Sequence, residues 1–334
     1  MGNLAKDRAG SLLAGRSSGR SLLQGANLAL WHLLRRFLSG LVAVWGAVTL
    51  VFFMLLATGS PVYILAGPQA TQEDIDRLNA LYGFDRPLYE QYARFIGSVL
   101  RGQFPDSLRF HSSPFDLLFP AIPLTFVLAL TALVVGSVLG LLTGYVSATS
   151  RNRLLREIPL FVATVLQSTP VFVIGILFVL LFSLTLGWFP TSGSSSPLHL
   201  VLPAASLSLL IAPPVARLFR ASILQQRDAD HVRTALAKDI PLAQVQLRHV
   251  AANALVPVIS LIGLQAGSLL GGAVLTETVF GWPGIGTVTI NAVAAKDYPV
   301  ILAAVFLIAI AVSLANFIAD LLVAAIDPRT AVVK

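Results

Sequence analysis

The chain has 334 residues, of which 56 % are hydrophobic and 12 % charged, where a soluble domain carries roughly 25 % charged residues. That composition excludes a water-soluble surface all round, a disordered chain and a collagen-like or coiled-coil chain, and it makes lipid the main solvent. The absence of cysteine excludes disulfide scaffolds, thiolate metal sites and Cys nucleophiles.

Residues 1–32 form a basic extension rich in Gly, Ser, Leu and Arg, expected to be disordered and cytoplasmic. The apolar run that follows is too long for a signal-peptide core and has no Ala-x-Ala site after it, so it reads as an uncleaved first span. A spanning helix needs about 20 apolar residues, because roughly 30 Å of hydrocarbon is crossed at about 1.5 Å per residue. Six segments qualify: 37–57, 121–147, 159–187, 199–216, 254–275 and 300–326. The third should kink at Pro170, and the fourth at Pro203, Pro213 and Pro214. A broken apolar stretch between the fifth and sixth is open to a re-entrant reading.

The long loop after the first span contains two helical patterns. Thr71 with Asp74 resembles a capping box, followed by Ile75, Leu78 and Tyr82 at helical spacing up to Gly83. A second helix is expected from Pro87 to Gly102, with Tyr89, Tyr92, Ile96 and Val99 as its apolar stripe. These helices either pack on the outer ends of the spans or present a docking surface to an external partner. Residues 33–120 thus form one unit of span plus outer loop, 121–329 a five-span core with an inner loop at 217–253, and 330–334 a tail.

Six spans place both termini on one side, and the basic residues say which. Residues 1–36, 148–158, 217–253 and the tail hold seventeen of the Lys and Arg side chains, against six in the opposite loops. Positive residues flanking spans stay in the cytoplasm, so both termini are predicted cytoplasmic. The charge of +7 is therefore a topology signal and gives no reason to expect nucleic acid. Trp31, Trp188, Trp282 and Tyr298 fit an aromatic belt at the two interfaces.

Ion-coupled carriers place ionisable groups in the bilayer to bind or relay the driving ion. Here only His199 and Asp320 fall at the edges of predicted spans, which disfavours such a carrier. No lysine follows glycine, so a P-loop is excluded, and neither a His-Glu-x-x-His nor a Gly-x-Ser-x-Gly motif occurs in the spans. Energy for uphill transport must then come from another subunit. Gly136, Gly140 and Gly144 in the second span, and Gly263, Gly267 and Gly271 in the fifth, repeat Gly-x-x-x-Gly and are read as helix-packing positions.

The inner segment 228–241 reads as a short exposed helix, with Asp228 and Asp230 at its start, Lys238 at its end, and Pro241 blocking continuation. Its Ala235 and Ala237 are small enough for a helix seated in another protein's groove, with Arg233 and Lys238 at the rim. The same segment followed by Arg248-His249 and Asn253-Ala254-Leu255-Val256-Pro257 is similar to the EAA coupling loop of bacterial ABC importer permeases, in the dipeptide/oligopeptide/nickel branch. Glu277-Thr278-Val279-Phe280, Pro283-Gly284-Ile285-Gly286, Asp297-Tyr298-Pro299, Asp327-Pro328-Arg329 and the outer Tyr82-Gly83-Phe84-Asp85-Arg86-Pro87-Leu88 with Gln91-Tyr92 carry the resemblance over about residues 33–329.

The resemblance implies an all-α polytopic protein with six transmembrane helices in the type I importer permease, MetI-like, fold, resident in the bacterial inner membrane. It implies a non-catalytic subunit that holds no cofactor, with ATP and Mg on partner ATPases. The implied partners are a second homologous permease, two ABC ATPases and an extracytoplasmic solute-binding protein, besides membrane lipid. Asp230, Arg233, Thr234, Ala235, Ala237, Lys238, Asp239, Arg248 and His249 would be ATPase-coupling positions. Two departures stand out: Asp239 replaces the family's usual glycine, so the turn there is expected to differ, and Pro105-Asp106 interrupts the outer Gly-x-x-Gly-x-Ser pattern, with Gly102 and Ser107 kept. Di- or oligopeptides are the expected cargo. Nickel or a metal chelate, glutathione, and oligosaccharides are alternatives, an autonomous carrier is a more distant one, and no residue is assigned to substrate or metal.

Overall fold

The computed structural model describes residues 31, 34–67 and 69–326. Apart from Trp31, the N-terminal extension lies outside them, as do the Asp327-Pro328-Arg329 motif and the C-terminal tail. Fourteen helices follow one another among the described residues: α1 Leu34–Ala57, α2 Val62–Ala66, α3 Gln72–Tyr82, α4 Leu88–Leu100, α5 Pro114–Leu118, α6 Ile122–Thr149, α7 Arg153–Ser168, α8 Val171–Phe178, α9 Leu198–Arg227, α10 Asp230–Ala237, α11 Leu242–Gln244, α12 Ala252–Val279, α13 Ile285–Ala294 and α14 Tyr298–Ile326. Single π-helical stretches extend α8 over Val179–Thr185 and join α11 to α12 over Val245–Ala251.

Five continuous stretches are long and apolar enough to cross a bilayer: α1, α5–α6, α9, α11–α12 and α14. The third expected span, 159–187, bends at Pro170 as its sequence requires: α7 and α8 form a pair meeting at 105°, which adds a sixth candidate crossing to these five if the two count as one span. Proline cannot donate to the helix ladder and pushes the preceding residue out of the helical region, and Thr169 is extended at φ −93° and ψ 133°.

In the fourth span the three prolines do not end the helix: α9 continues through Pro203, Pro213 and Pro214 without interruption. Pro214 leaves the carbonyl of Leu210 without its helical donor, and Gln265 Nε2 of α12 donates to that oxygen at 3.3 Å. A neighbouring helix thus restores the bond that proline removed. The helix also runs to Arg227, well past the expected end at 216. With α10, α11 and the π-helical stretch after it, most of the inner segment expected at 217–253 is helical.

The core forms where α6, α9 and α12 meet, around Leu128, Leu207, Ile211, Val215, Val258 and Leu269. Glycine sets the spacing of α6 and α9. A Cβ on Gly136, Gly140 or Gly144 would stand 2.7 Å from the carbonyl oxygen of Ser208, Ala212 or Ala216 respectively. The second glycine series behaves unevenly: a Cβ on Gly263 would meet Ala319 and one on Gly267 would meet Asn316, both on α14, whereas Gly271 has open space.

The outer-loop helices form as the local signals require. Thr71 and Asp74 close a capping box at the start of α3, and Gly83 ends it in the left-handed region at φ 74°. The apolar stripe of α4 keeps Tyr92, Ile96 and Val99 of the four residues expected and gains Phe95. Phe95 is its buried residue, packed with Phe52 of α1 and Leu302 of α14, while Tyr92, Ile96 and Val99 flank the cluster. Tyr89 lies outside it and is 75 % exposed.

Two buried carboxylates pin the connections at the same end of the bundle. Glu277, fully buried in α12, accepts from Thr125 Oγ1 at 2.6 Å and from the Gly286 amide at 2.7 Å, at the N-terminus of α13. Gly284 and Gly286 leave the room for it, since a Cβ on either would collide with the carboxylate. Asp297 accepts from the Ser107 hydroxyl and, at 3.1 Å, from the Leu108 amide, fastening the segment after Pro105-Asp106. Two residues assigned to the aromatic belt are instead interior. Trp282 Nε1 donates to Leu124 O at 3.0 Å, Tyr298 Oη donates to Gly59 O at 2.6 Å, and both side chains are buried. Trp31 and Trp188 remain exposed.

Candidate functional site: the α10 face

The short helix α10 is held against the body by one edge. Val232 and Ala235, three residues apart and so on one helical face, are buried with Ile223 of α9 and with Val245, Val250 and Ala251 of the following segment. The small side chain at Ala235 therefore serves the seat of α10 on its own chain, not a partner's groove. The opposite face is open, carrying Asp230, Arg233, Thr234, Ala237, Lys238 and Asp239.

The polar contacts on this face are local. Arg233 Nη1 lies 4.0 Å from Asp230 Oδ1, with both side chains largely in solvent, so the pair contributes little to stability and both charges stay available. Thr234 Oγ1 donates to Asp230 O at 2.9 Å. Arg248 is exposed and His249 half-buried. The His249 carbonyl accepts from Asn253 Nδ2 at 2.6 Å and lies 3.3 Å from His231 Nε2, tying α10 to the π-helical stretch behind it. His231 was passed over in the sequence because a single histidine in a polar loop carries no signal by itself.

The turn that ends α10 settles the Asp239 departure. Asp239 stands at φ 52°, the left-handed conformation a glycine would take. The amides of Lys238, Asp239 and Ile240 donate to Ala235 O, Leu236 O and Ala235 O at 3.2, 3.1 and 3.4 Å. The turn is therefore the one a glycine would make, carried by a residue that tolerates it at some cost. Pro241 then opens α11.

Three apolar side chains beside this face went unnoticed in the sequence: Leu236, Leu242 and Leu247 are 45, 58 and 58 % exposed. In a hydrophobic chain each reads as one more core residue, and only their position beside the open face of α10 marks them. Among the described residues, no group of three or more His, Asp or Glu side chains is placed to hold a metal ion.

Residues 136–332 match the family described as binding-protein-dependent transport system inner membrane component. The glutathione transport system permease protein GsiC of Escherichia coli strain K12 is 35 % identical over 298 residues, spanning 89 % of this chain and 97 % of that protein. The GsiC of Shigella dysenteriae serotype 1 matches to the same extent. Among solved structures, a chain of the MetNI methionine ABC transporter in an inward-facing conformation superposes with a TM-score of 0.56. It covers 65 % of this chain and 99 % of its own length at 19 % identity, a likeness of fold.

Proposed function

From the premise that this chain belongs to the binding-protein-dependent transport system inner membrane components, as the permease subunit of an ABC importer, we propose that α10 is its contact with a cytoplasmic ATPase and that its cargo is a short peptide. The observation that carries the coupling role is the two-sided build of α10: Val232 and Ala235 fix it to the bundle, while Arg233, Thr234, Ala237 and Lys238 face away, flanked by exposed leucines. A helix held in this way transmits a push to α9 and α12, the two spans it connects, and so can bias the bundle between two packings. Arg248 and His249 belong to the seat and rim of the same contact.

The basic residues concentrated at the α10 end support a cytoplasmic position for that end and for both termini. A second, homologous permease completes the pathway. The face of α12 that carries Leu264, Ser268, Gly271 and Leu275 is uncovered among the described residues, which suits it to that neighbour or to the pathway itself. ATP and Mg act on the partner ATPases, and an external receptor delivers the cargo. The relatives named as glutathione transport permeases favour the glutathione alternative, with which the peptide reading is compatible, glutathione being itself a tripeptide. Nickel, a metal chelate and oligosaccharides remain the other cargo classes of similar permeases.

Reconstitution of the chain with its partner subunits in liposomes tests the reading. Uptake of labelled glutathione or dipeptide should require ATP and the receptor, and Arg233→Glu should reduce uptake and ATPase stimulation together while leaving membrane insertion intact. Transport by the chain alone without ATP, or full uptake in Arg233→Glu, would contradict it.

A further inference from the structure

A cavity of about 650 Å³ opens where the α6–α7 turn, the end of α9 and the α10–α12 segment converge. Arg151, Arg156, Arg220 and Arg227 line it against one carboxylate, Glu157. Glu157 engages Arg156 at 3.0 Å and Arg220 at 3.4 Å, so Arg151 and Arg227 have no carboxylate within reach among the described residues. Four guanidinium groups around one space repel one another unless an anion joins them. Two buried polar atoms of cavity-lining residues also lack a hydrogen-bond partner among the described residues: Ser147 Oγ, on a fully buried side chain, and Arg220 Nε. Buried polar atoms are ordinarily satisfied, so a pair left over beside a basic cavity asks for a missing acceptor.

We infer that this cavity binds a phosphate-bearing anion. Guanidinium forks match phosphate oxygens in geometry and charge, and a dianion meets the excess of arginine better than a single carboxylate does. The wall also carries Leu224, Leu236 and Leu242 beside polar Thr149, Ser150 and Gln246, and the cavity lies at the ends of α6 and α9, two of the helices long and apolar enough to cross a bilayer, so that lipid headgroups would sit beside it. The phosphate therefore comes either from an anionic phospholipid, whose chain the leucines receive, or from a soluble phosphate. In both cases the anion ties the α6–α7 turn and α9 to the seat of α10. The inference rests on the arginines and Ser147, none of which the proposed ATPase contact uses, although Leu236 and Leu242 border both surfaces.

The full chain, extracted from membranes containing phosphatidylglycerol, is examined by native mass spectrometry for retained lipid, and its melting temperature is followed with added pyrophosphate. The variants are Arg151→Gln/Arg227→Gln, Ser147→Ala, and Arg153→Gln as a control that removes an exposed charge outside the cavity lining. Retained phospholipid that the double variant holds about tenfold less well or worse, the scale of lost charge-assisted hydrogen bonds, establishes the lipid source. No retained lipid, with a melting shift by pyrophosphate in the parent but not in the double variant, establishes the soluble source. Ser147→Ala should weaken binding in whichever arm succeeds without lowering the melting temperature of the empty protein, because it removes an unpaired hydroxyl. Identical behaviour of the parent and the double variant in both arms, or an equal loss in Arg153→Gln, would overturn the inference.

Discussion

Replacing Gly140 by alanine tests the packing of α6 on α9 most sharply. A Cβ there would lie 2.7 Å from the Ala212 carbonyl oxygen and 2.7 Å from both Cβ and Cγ1 of Val215, where non-bonded atoms prefer about 3.5–4.0 Å. Backbone and a β-branched side chain cannot swing aside, so α9 must shift by nearly an ångström, against α12 behind it. Overpacking of this kind costs about 1–3 kcal/mol. Alanine also gains roughly 1 kcal/mol of helix propensity over glycine, which would obscure the loss. Gly271→Ala is the internal reference, since it carries the same propensity gain with nothing within 4 Å of the new methyl. The difference between the two variants isolates the packing cost of about 1–3 kcal/mol, or roughly 2–10 °C in melting temperature. The chain has four tryptophans and no cysteine, so intrinsic fluorescence in mild detergent is a suitable readout. Equal melting temperatures for Gly140→Ala and Gly271→Ala would refute the close approach of α6 and α9.

Three further outcomes follow from local geometry. Gln265→Leu removes the donor that serves Leu210 O beside Pro214 and should destabilise the chain by about 0.5–1.5 kcal/mol, read by the same melting assay; a rise in melting temperature would count against the rescue of the proline break. Asp239→Gly relieves a left-handed φ of 52° and should stabilise the α10 turn by up to about 1 kcal/mol, with slower amide exchange at residues 236–241; faster exchange would contradict the strain. The Thr71 hydroxyl, then the Thr71 amide, hold the Asp74 carboxyl below its ordinary value of 3.8. A carboxyl depressed in the folded state stabilises above its unfolded value and loses that contribution as pH falls through the folded one. Protection of α3 amides should therefore decline below about pH 3.8, and Asp74→Ala should flatten that decline; an unchanged profile in the variant would discount the cap.

The elements legible in the sequence are those that local rules decide. Runs of apolar residues locate the crossings, and Thr71, Asp74 and Gly83 bound α3 because capping and left-handed termination act within a few residues. What escaped depends on distant neighbours. Pro170 breaks a helix and Pro214 does not; beside Pro214 the freed Leu210 carbonyl is served by Gln265, which sequence spacing does not connect to it. Glu277 fell just beyond the fifth span as read from hydropathy, yet α12 carries it as a buried carboxylate, satisfied by Thr125 and the start of α13. Trp282 and Tyr298 have the composition of a membrane belt, and only their hydrogen bonds to Leu124 and Gly59 reveal them as interior. At α10 the charged face was readable, whereas alanine is ambiguous between self-packing and docking, and Ala235 resolves to self-packing through Val232 beside it.

The central claim is that α10 meets the ATPase through its open face, and cysteine crosslinking tests it most directly in this cysteine-free chain. Single cysteines are placed at Arg233, Thr234 and Lys238 on the open face and at Val232 on the seated face, each in a transport-competent complex treated with a short bifunctional thiol reagent. The account predicts crosslinks to the ATPase subunit from the first three, altered in yield by nucleotide, and none from Val232→Cys. Active complexes in which no open-face position reaches the ATPase would contradict it.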